Sequence, residues 1–306
     1  MNILKTDKYR VIGLLLFFVC CKLYSLETVV ICLRDQDRRC TVVMDEEIHN
    51  YWGSNVSVKL EESNPVTSVP SRLKLHSFYE KYLDVDGIPV VSSAAVRDEA
   101  LIRAGKVILR MLSKRSDVKR VMIDKGCKVM IIGEDEGVCD LPEYAHICDV
   151  PENIDYWNGR ARGFGGAPED DYSASFGEEN ILCLKEDRYR GESILVHEFA
   201  HLIHTVGIVG INPDFDVELE RLRQLAIREG LWENAYAIGN KEEYFAETVQ
   251  SFFNCNRYSA VPNGIHNDIH TRDKLKEYDP AIYDLLLQYF PEVELPLCEG
   301  NYTEID

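Results

Sequence analysis

Positive charge is scarce in this chain. Among 306 residues, 34 Lys and Arg stand against 52 Asp and Glu, a formal net charge of -18, with an isoelectric point near 4.9. Nothing here can neutralise a track of phosphates, which excludes nucleic acid as an expected partner. C-x-x-C pairs are absent too, which makes a thiolate zinc site improbable. Internal repeats and low-complexity tracts are missing, so solenoids and disordered tails are set aside. No apolar run of membrane length follows the first 25 residues, and no membrane partner is expected. The remaining composition, 45% hydrophobic and 28% charged, is that of a globular protein long enough for one large domain or two modest ones.

What is present begins at the N-terminus. Lys5, Lys8 and Arg10 precede an apolar run from Val11 to Cys20, and Ser25 offers a small residue for cleavage. This reads as a signal peptide over residues 1–25, with a secreted mature chain. Bulky Phe18 and Val19 disfavour lipid attachment at Cys20 or Cys21. Eight cysteines then remain: Cys32, Cys40, Cys127, Cys139, Cys148, Cys183, Cys255 and Cys298. In an oxidising compartment up to four disulfides are the expectation. Asn55-Val-Ser57 and Asn301-Tyr-Thr303 are glycosylation sequons.

Residues 26–70 read as an N-terminal extension with β-like runs at Thr28–Cys32 and Thr41–Met44, pinned by a Cys32–Cys40 loop. Residues 71–306 form the main domain, a mixed α/β part over 71–190 and a mostly helical part over 191–306. Strands are expected at Tyr82–Val85 and Ile88–Ser92 around an Asp86-Gly87 turn, and at Cys127–Gly133. Helices are expected at Ser93–Lys114 and Val118–Asp124. Residues 134–178 read as a long irregular loop, with Cys139 and Cys148 available to staple it. Arg160–Pro168 within it lacks the ending of a phosphate loop and is open between a solvent loop and a substrate-lining one. Asn180–Leu184 reads as a short strand that could pair with an extended substrate. Further helices follow at Asp214–Glu229, Asn240–Phe253 and Asp279–Phe290.

The chemistry sits in residues 193–207, Ser-Ile-Leu-Val-His-Glu-Phe-Ala-His-Leu-Ile-His-Thr-Val-Gly. Leu195, Phe199, Leu202 and Val206 make the buried stripe of a helix. His197 and His201 lie one turn apart on another stripe, so both imidazoles can reach one metal ion. Glu198 stands where a carboxylate can contact a metal-bound water without being a ligand. One zinc ion per chain is the expected cofactor.

A catalytic zinc site takes three protein ligands. His204 lies roughly 10 Å along the helix from His197, too far to join. Position 207, where a third histidine would extend the pattern, is glycine. His266 and His270 share helical spacing in a loop without an intervening Glu, and read as surface or pocket histidines. Glu218 and Glu220 read as a solvated face beside Arg221 and Arg223. Glu243 and Glu247 lie one turn apart, off the apolar stripe of Phe245, Val249 and Phe252. Glu243 can therefore bind zinc while Glu247 orients a ligand histidine from behind. Alternatively, Asn240 and Glu243 form a helix N-cap pair in which the Glu243 side chain bonds the Asn240 backbone N–H.

His197-Glu-Phe-Ala-His201, followed by Glu243-Tyr-Phe-Ala-Glu247, resembles the catalytic domain of the anthrax lethal factor group of gluzincin metallopeptidases. The likeness covers about residues 180–255. It implies an α+β zincin-like fold, a small mixed sheet packed on the active-site helix and followed by a mostly helical half. It implies Glu243 as third zinc ligand and Tyr236, seven residues before it, as a residue assisting catalysis. The implied activity is hydrolysis of a peptide bond in a protein or peptide substrate. Zinc lowers the pKa of a bound water from about 16 toward about 7, and Glu198 takes its proton as general base. A zinc hydrolase with a non-protein substrate, or a non-catalytic interaction protein on a retired peptidase fold, are the other readings.

Overall fold

A tight hairpin sets the register of the main sheet. Asp86 and Gly87 both take positive φ, 51° and 95°, the conformation that lets a two-residue turn follow the strand twist. They join Lys81–Val85 to Ile88–Ser92, paired antiparallel from Lys81 opposite Ser92 to Val85 opposite Ile88. The computed structural model describes residues 65–167 and 171–295, and the backbone of two short strands nearer the N-terminus. The expected signal peptide, the Cys32–Cys40 loop and both sequons lie outside the described residues.

The chain divides into two compact units, Met1–Glu62 and Ser63–Asp306. In the first, β1 (Val30–Ile31) pairs antiparallel with β2 (Val42–Val43). The second holds a five-stranded mixed sheet in the order β3 (Thr67–Ser68), β4 (Lys81–Val85), β5 (Ile88–Ser92), β6 (Lys128–Ile132) and β7 (Ser173–Gly177). The first three strands are antiparallel neighbours, whereas β5, β6 and β7 run parallel. The fold is thus α+β.

Parallel strands need long crossovers. Between β5 and β6 the chain forms α1 (Asp98–Met111) and α2 (Ser116–Asp124). Every residue of β6 is buried, as befits a strand covered on both faces. Its alternation sorts the core. Val129 and Ile131 join Val90, Phe176 and the helices on one face. Met130 and Ile132 join Tyr79, Val138, Leu141 and Tyr144 on the other.

The segment expected to be one irregular loop is partly regular. It contains α3 (Pro151–Arg160) and the whole of β7. The Cys139–Cys148 disulfide closes the turn before α3. Asn180–Leu184 is not a strand, because Glu178–Leu182 forms a short helix, α4. There the Asn180 carboxamide accepts from the Ile194 N–H and donates to the Glu192 carbonyl, 2.9 Å each. A substrate cannot add to that segment as to a sheet edge. Cys127 and Cys255 are free and buried. Of the eight cysteines expected in the mature chain, six are left for pairing, so at most three disulfides replace the expected four. Burial pushes the Cys127 thiol up to about 12.

The long central helix runs from Ile194 to Ile211. It opens as α5 (Ile194–Leu202), widens into a π-helical turn at Ile203–Ile208 and ends at Ile211. Among the described residues it is the one helix with the length and apolarity to cross a membrane, yet 67% of that window is buried in the fold. Leu195, Phe199, Leu202 and Val206 all face the core. Gly207 is glycine for a packing reason: a Cβ there would meet Val118 of α2 at 2.6 Å.

The C-terminal half adds α6 (Phe215–Arg228), α7 (Lys241–Phe252), α8 (Arg272–Tyr278) and α9 (Pro280–Tyr289). Residues Tyr244–Phe252 of α7 are all buried. Asp279, buried at the start of α9, ties this half together. Its carboxylate accepts from Trp232 Nε1 at 2.9 Å, Tyr244 Oη at 2.6 Å and the Ile282 N–H at 3.3 Å.

Candidate metal centre

The site forms where α5 crosses α7. Ser193 caps α5 by accepting from the Val196 N–H, and the helical turn that follows stacks His197 under His201. Asn240 caps α7 by accepting from the Glu243 N–H at 2.7 Å. The Glu243 carboxylate does not turn back to the Asn240 N–H as the cap reading expects, but lies on His197. Its backbone serves the cap, and its carboxylate is free to turn toward the histidines.

His197 Nε2 lies 3.2 Å from His201 Nε2 and 3.1 Å from Glu243 Oε2, and His201 Nε2 lies 3.5 Å from the same oxygen. Two imidazole nitrogens at that spacing repel when both present lone pairs, unless a proton or a cation sits between them. Ligands at ~2.0–2.1 Å from a tetrahedral zinc would stand about 3.3 Å apart. The three edges of this triangle bracket that value. His197, His201 and Glu243 form a group able to hold a metal ion.

Electrostatics agree with a site built for positive charge. Burial works against protonation of His197, but the hydrogen bond to Glu243 and the charges of Glu198 and Glu247 push it up to about 10. Burial would raise Glu243, yet hydrogen bonds from His197 and His201 hold it well below the usual carboxylate range. Glu198, beside the pair, is raised by burial first, then by the Glu243 charge. A raised carboxylate is a better proton acceptor near neutral pH.

Two groups stand behind His197, Glu247 and Gln250. Glu247 is 4% exposed, and its Oε1 lies 3.7 Å from His197 Nδ1. Its other oxygen accepts from Asn256 Nδ2 at 3.0 Å. The direct partner of His197 is Gln250, whose Oε1 stands 2.9 Å from Nδ1. Gln250 Nε2 donates to the Ser193 carbonyl at 3.1 Å, which fixes the amide orientation and leaves Oε1 to accept. Nδ1 therefore carries a proton, and Nε2 is the nitrogen turned to His201 and Glu243. Sequence reasoning missed Gln250. The available signal was its position two helical turns beyond Glu243.

Tyr236 opens a short turn, Tyr236–Ile238, anchored by its N–H to the Ile265 carbonyl at 2.8 Å. Its hydroxyl donates to Glu243 Oε1 at 3.3 Å. The residue is 39% exposed, so it borders an open site instead of packing behind it. Burial of the hydroxyl and the Glu243 charge push its pKa up to about 12.

The remaining candidates lie elsewhere. His204 is buried between the Phe215 and Phe245 rings, with Nε2 2.7 Å from Asp216 Oδ1. Glu220 pairs with Arg223, and Glu218 is exposed. His266 is buried, 3.5 Å from Glu192, and is no surface histidine. His270 lies against the Tyr258 ring.

The described part of the Arg160–Pro168 stretch, residues 160–167, lies against α5. Phe164 and Gly166 pair with Ser175 and Ser173 on the edge of β7. Neither flank of this strap has room for side chains. A Cβ at Gly165 would fall 2.1 Å from the Glu198 carbonyl oxygen, and one at Gly163 would fall 2.3 Å from the Ser175 carbonyl and 3.2 Å from Glu198 Cγ. Arg162 pins this strap through a buried bidentate pair with Glu179 at 2.6 and 2.7 Å.

Comparison with protein-family models, with characterised proteins and with solved structures finds no match to this chain.

Proposed function

We propose that the chain is a secreted zinc-dependent metallopeptidase of the gluzincin type, similar in its site motifs to the anthrax lethal factor group. Three donor atoms at the edge spacing of a tetrahedral site, with Glu198 and Tyr236 beside them, carry this reading. His197, His201 and Glu243 would hold the ion, and two nitrogens with one carboxylate oxygen suit zinc. When bound, zinc supplies a Lewis acid that polarises the scissile carbonyl and acidifies a water molecule.

The chain's own groups do the rest. Glu198, neighbour to a ligand but not one itself, accepts the proton of the attacking water and passes it to the leaving amine. Its raised pKa suits both halves of that transfer. The Tyr236 hydroxyl, now spent on Glu243, is placed to donate to the substrate oxygen that gains negative charge. Losing one such donor typically costs roughly 10²–10³ in rate. Gln250 holds His197 in the tautomer that coordinates.

A peptide-cleavage assay with a chelator control tests this. Glu198→Gln should retain its metal and lose hydrolysis. Full activity in that variant would sink the mechanism.

A further inference from the structure

The mouth of the site holds a cation that the proposed chemistry does not use. Arg160 is the last residue of α3 and immediately precedes the glycine strap. Its backbone is held from two sides. Arg188 donates to the Asn158, Gly159 and Ala161 carbonyls at 3.3, 2.7 and 2.9 Å. The Tyr189 hydroxyl donates to the Arg160 carbonyl at 3.1 Å. The Arg160 side chain is exposed, and among the described residues its guanidinium joins no hydrogen bond and no ion pair. Burial raises the Tyr236 and Tyr189 phenols, and Arg160 lies close enough to both for its charge to oppose that rise, as Glu198 lies close enough to add to it. An arginine left unpaired in a chain of net charge -18, on a fixed backbone at the start of the strap that touches Glu198, is open to an anion. Its planar fork matches a carboxylate.

We propose that Arg160 is a specificity-determining residue that binds a substrate carboxylate next to the scissile bond. Resting on the peptidase reading, this names the substrate class as peptides carrying an acidic side chain near the cleavage point, or a free C-terminal carboxylate there. The two sources share one chemistry. They differ in outcome, since an acidic side chain allows internal cleavage and a terminal carboxylate restricts it to chain ends.

The test is binding to the zinc-loaded full chain carrying Glu198→Gln. The probes are fluorescein-labelled octapeptide pools of uncharged residues in three forms. One is C-terminally amidated, one is amidated with a single central Glu, and one has a free C-terminus. One acid-bearing pool should bind about tenfold tighter than the neutral amide, the gain typical of a charged hydrogen bond. Which pool gains identifies the source. The preference should vanish with Arg160→Gln, survive in part with Arg160→Lys and weaken at high salt. Equal binding of all three pools, no binding of any, or a preference unchanged in Arg160→Gln would overturn the proposal and leave Arg160 as a helix-terminal charge. Hydrolysis of the pools by the chain with Glu198 intact is measured separately. Its absence would fail the peptidase reading, while the binding arms still decide Arg160.

Discussion

Gln250 Oε1 stands 2.9 Å from His197 Nδ1, and its Nε2 donates to Ser193 at 3.1 Å. One amide therefore joins α7 to both the cap and the first histidine of α5. Gln250→Ala should weaken metal affinity about 10- to 100-fold, the usual cost of losing such a partner. Competition with a calibrated chelator measures it. Unchanged affinity would show that His197 needs no orienting group.

Glu243 serves the helix cap by its N–H and the site by its carboxylate. Glu243→Ala should abolish stoichiometric metal binding while leaving the far-ultraviolet circular dichroism unchanged, because alanine keeps the N–H. Asn240→Ala should do the reverse, costing about 1 kcal/mol of stability with metal retained. Elemental analysis and urea unfolding separate the two roles.

The strap has no room for a side chain at Gly165. Gly165→Ala should force either the strap or the backbone of α5 to move, at about 1–3 kcal/mol, seen as a lower unfolding midpoint. A neutral result would mean that the strap shifts freely.

Metal-free protein should show a specific pH response. His197 is pushed up to about 10 when folded, above its usual ~6.5. Its stabilising contribution is therefore complete below pH ~6.5 and is lost as pH rises through 10. Metal affinity should move the opposite way, rising over that window, because a bound ion displaces the proton. Unfolding midpoints with and without zinc between pH 6.5 and 10 should diverge. Parallel curves would contradict the coupling.

Much of this was legible in the sequence, and the reasons are specific. The Asp86-Gly87 hairpin, the apolar strand β6 and the stripes of α5, α6, α7 and α9 follow strong periodicities that tertiary packing reinforces. The motif residues His197, His201 and Glu243 could be named because helical spacing places side chains predictably. The region 134–178 resisted for a physical reason. No residue of α3 is buried, so it has no apolar stripe to read. β7 is Ser-Ala-Ser-Phe-Gly, buried throughout yet poor in the β-branched residues that announce a strand. The helix at Glu178–Leu182 is held by an asparagine hydrogen-bond network that spacing does not encode. Gln250 stayed invisible because no motif names it, and only the crossing of α5 and α7 brings it to His197.

The glycine strap has one further consequence. Along the strap, peptide backbone alone stands between the edge of β7 and the Glu198 carbonyl, while elsewhere β7 meets this helix through core side chains such as Phe176 and Phe199. Peptide geometry, which hardly varies, therefore sets the separation between the sheet and the helix at this point. Core substitutions elsewhere can change how tightly the protein is held together. Those at Phe176 or Phe199, where the helix rests on β7, work against a backbone contact at Gly165 that cannot shorten.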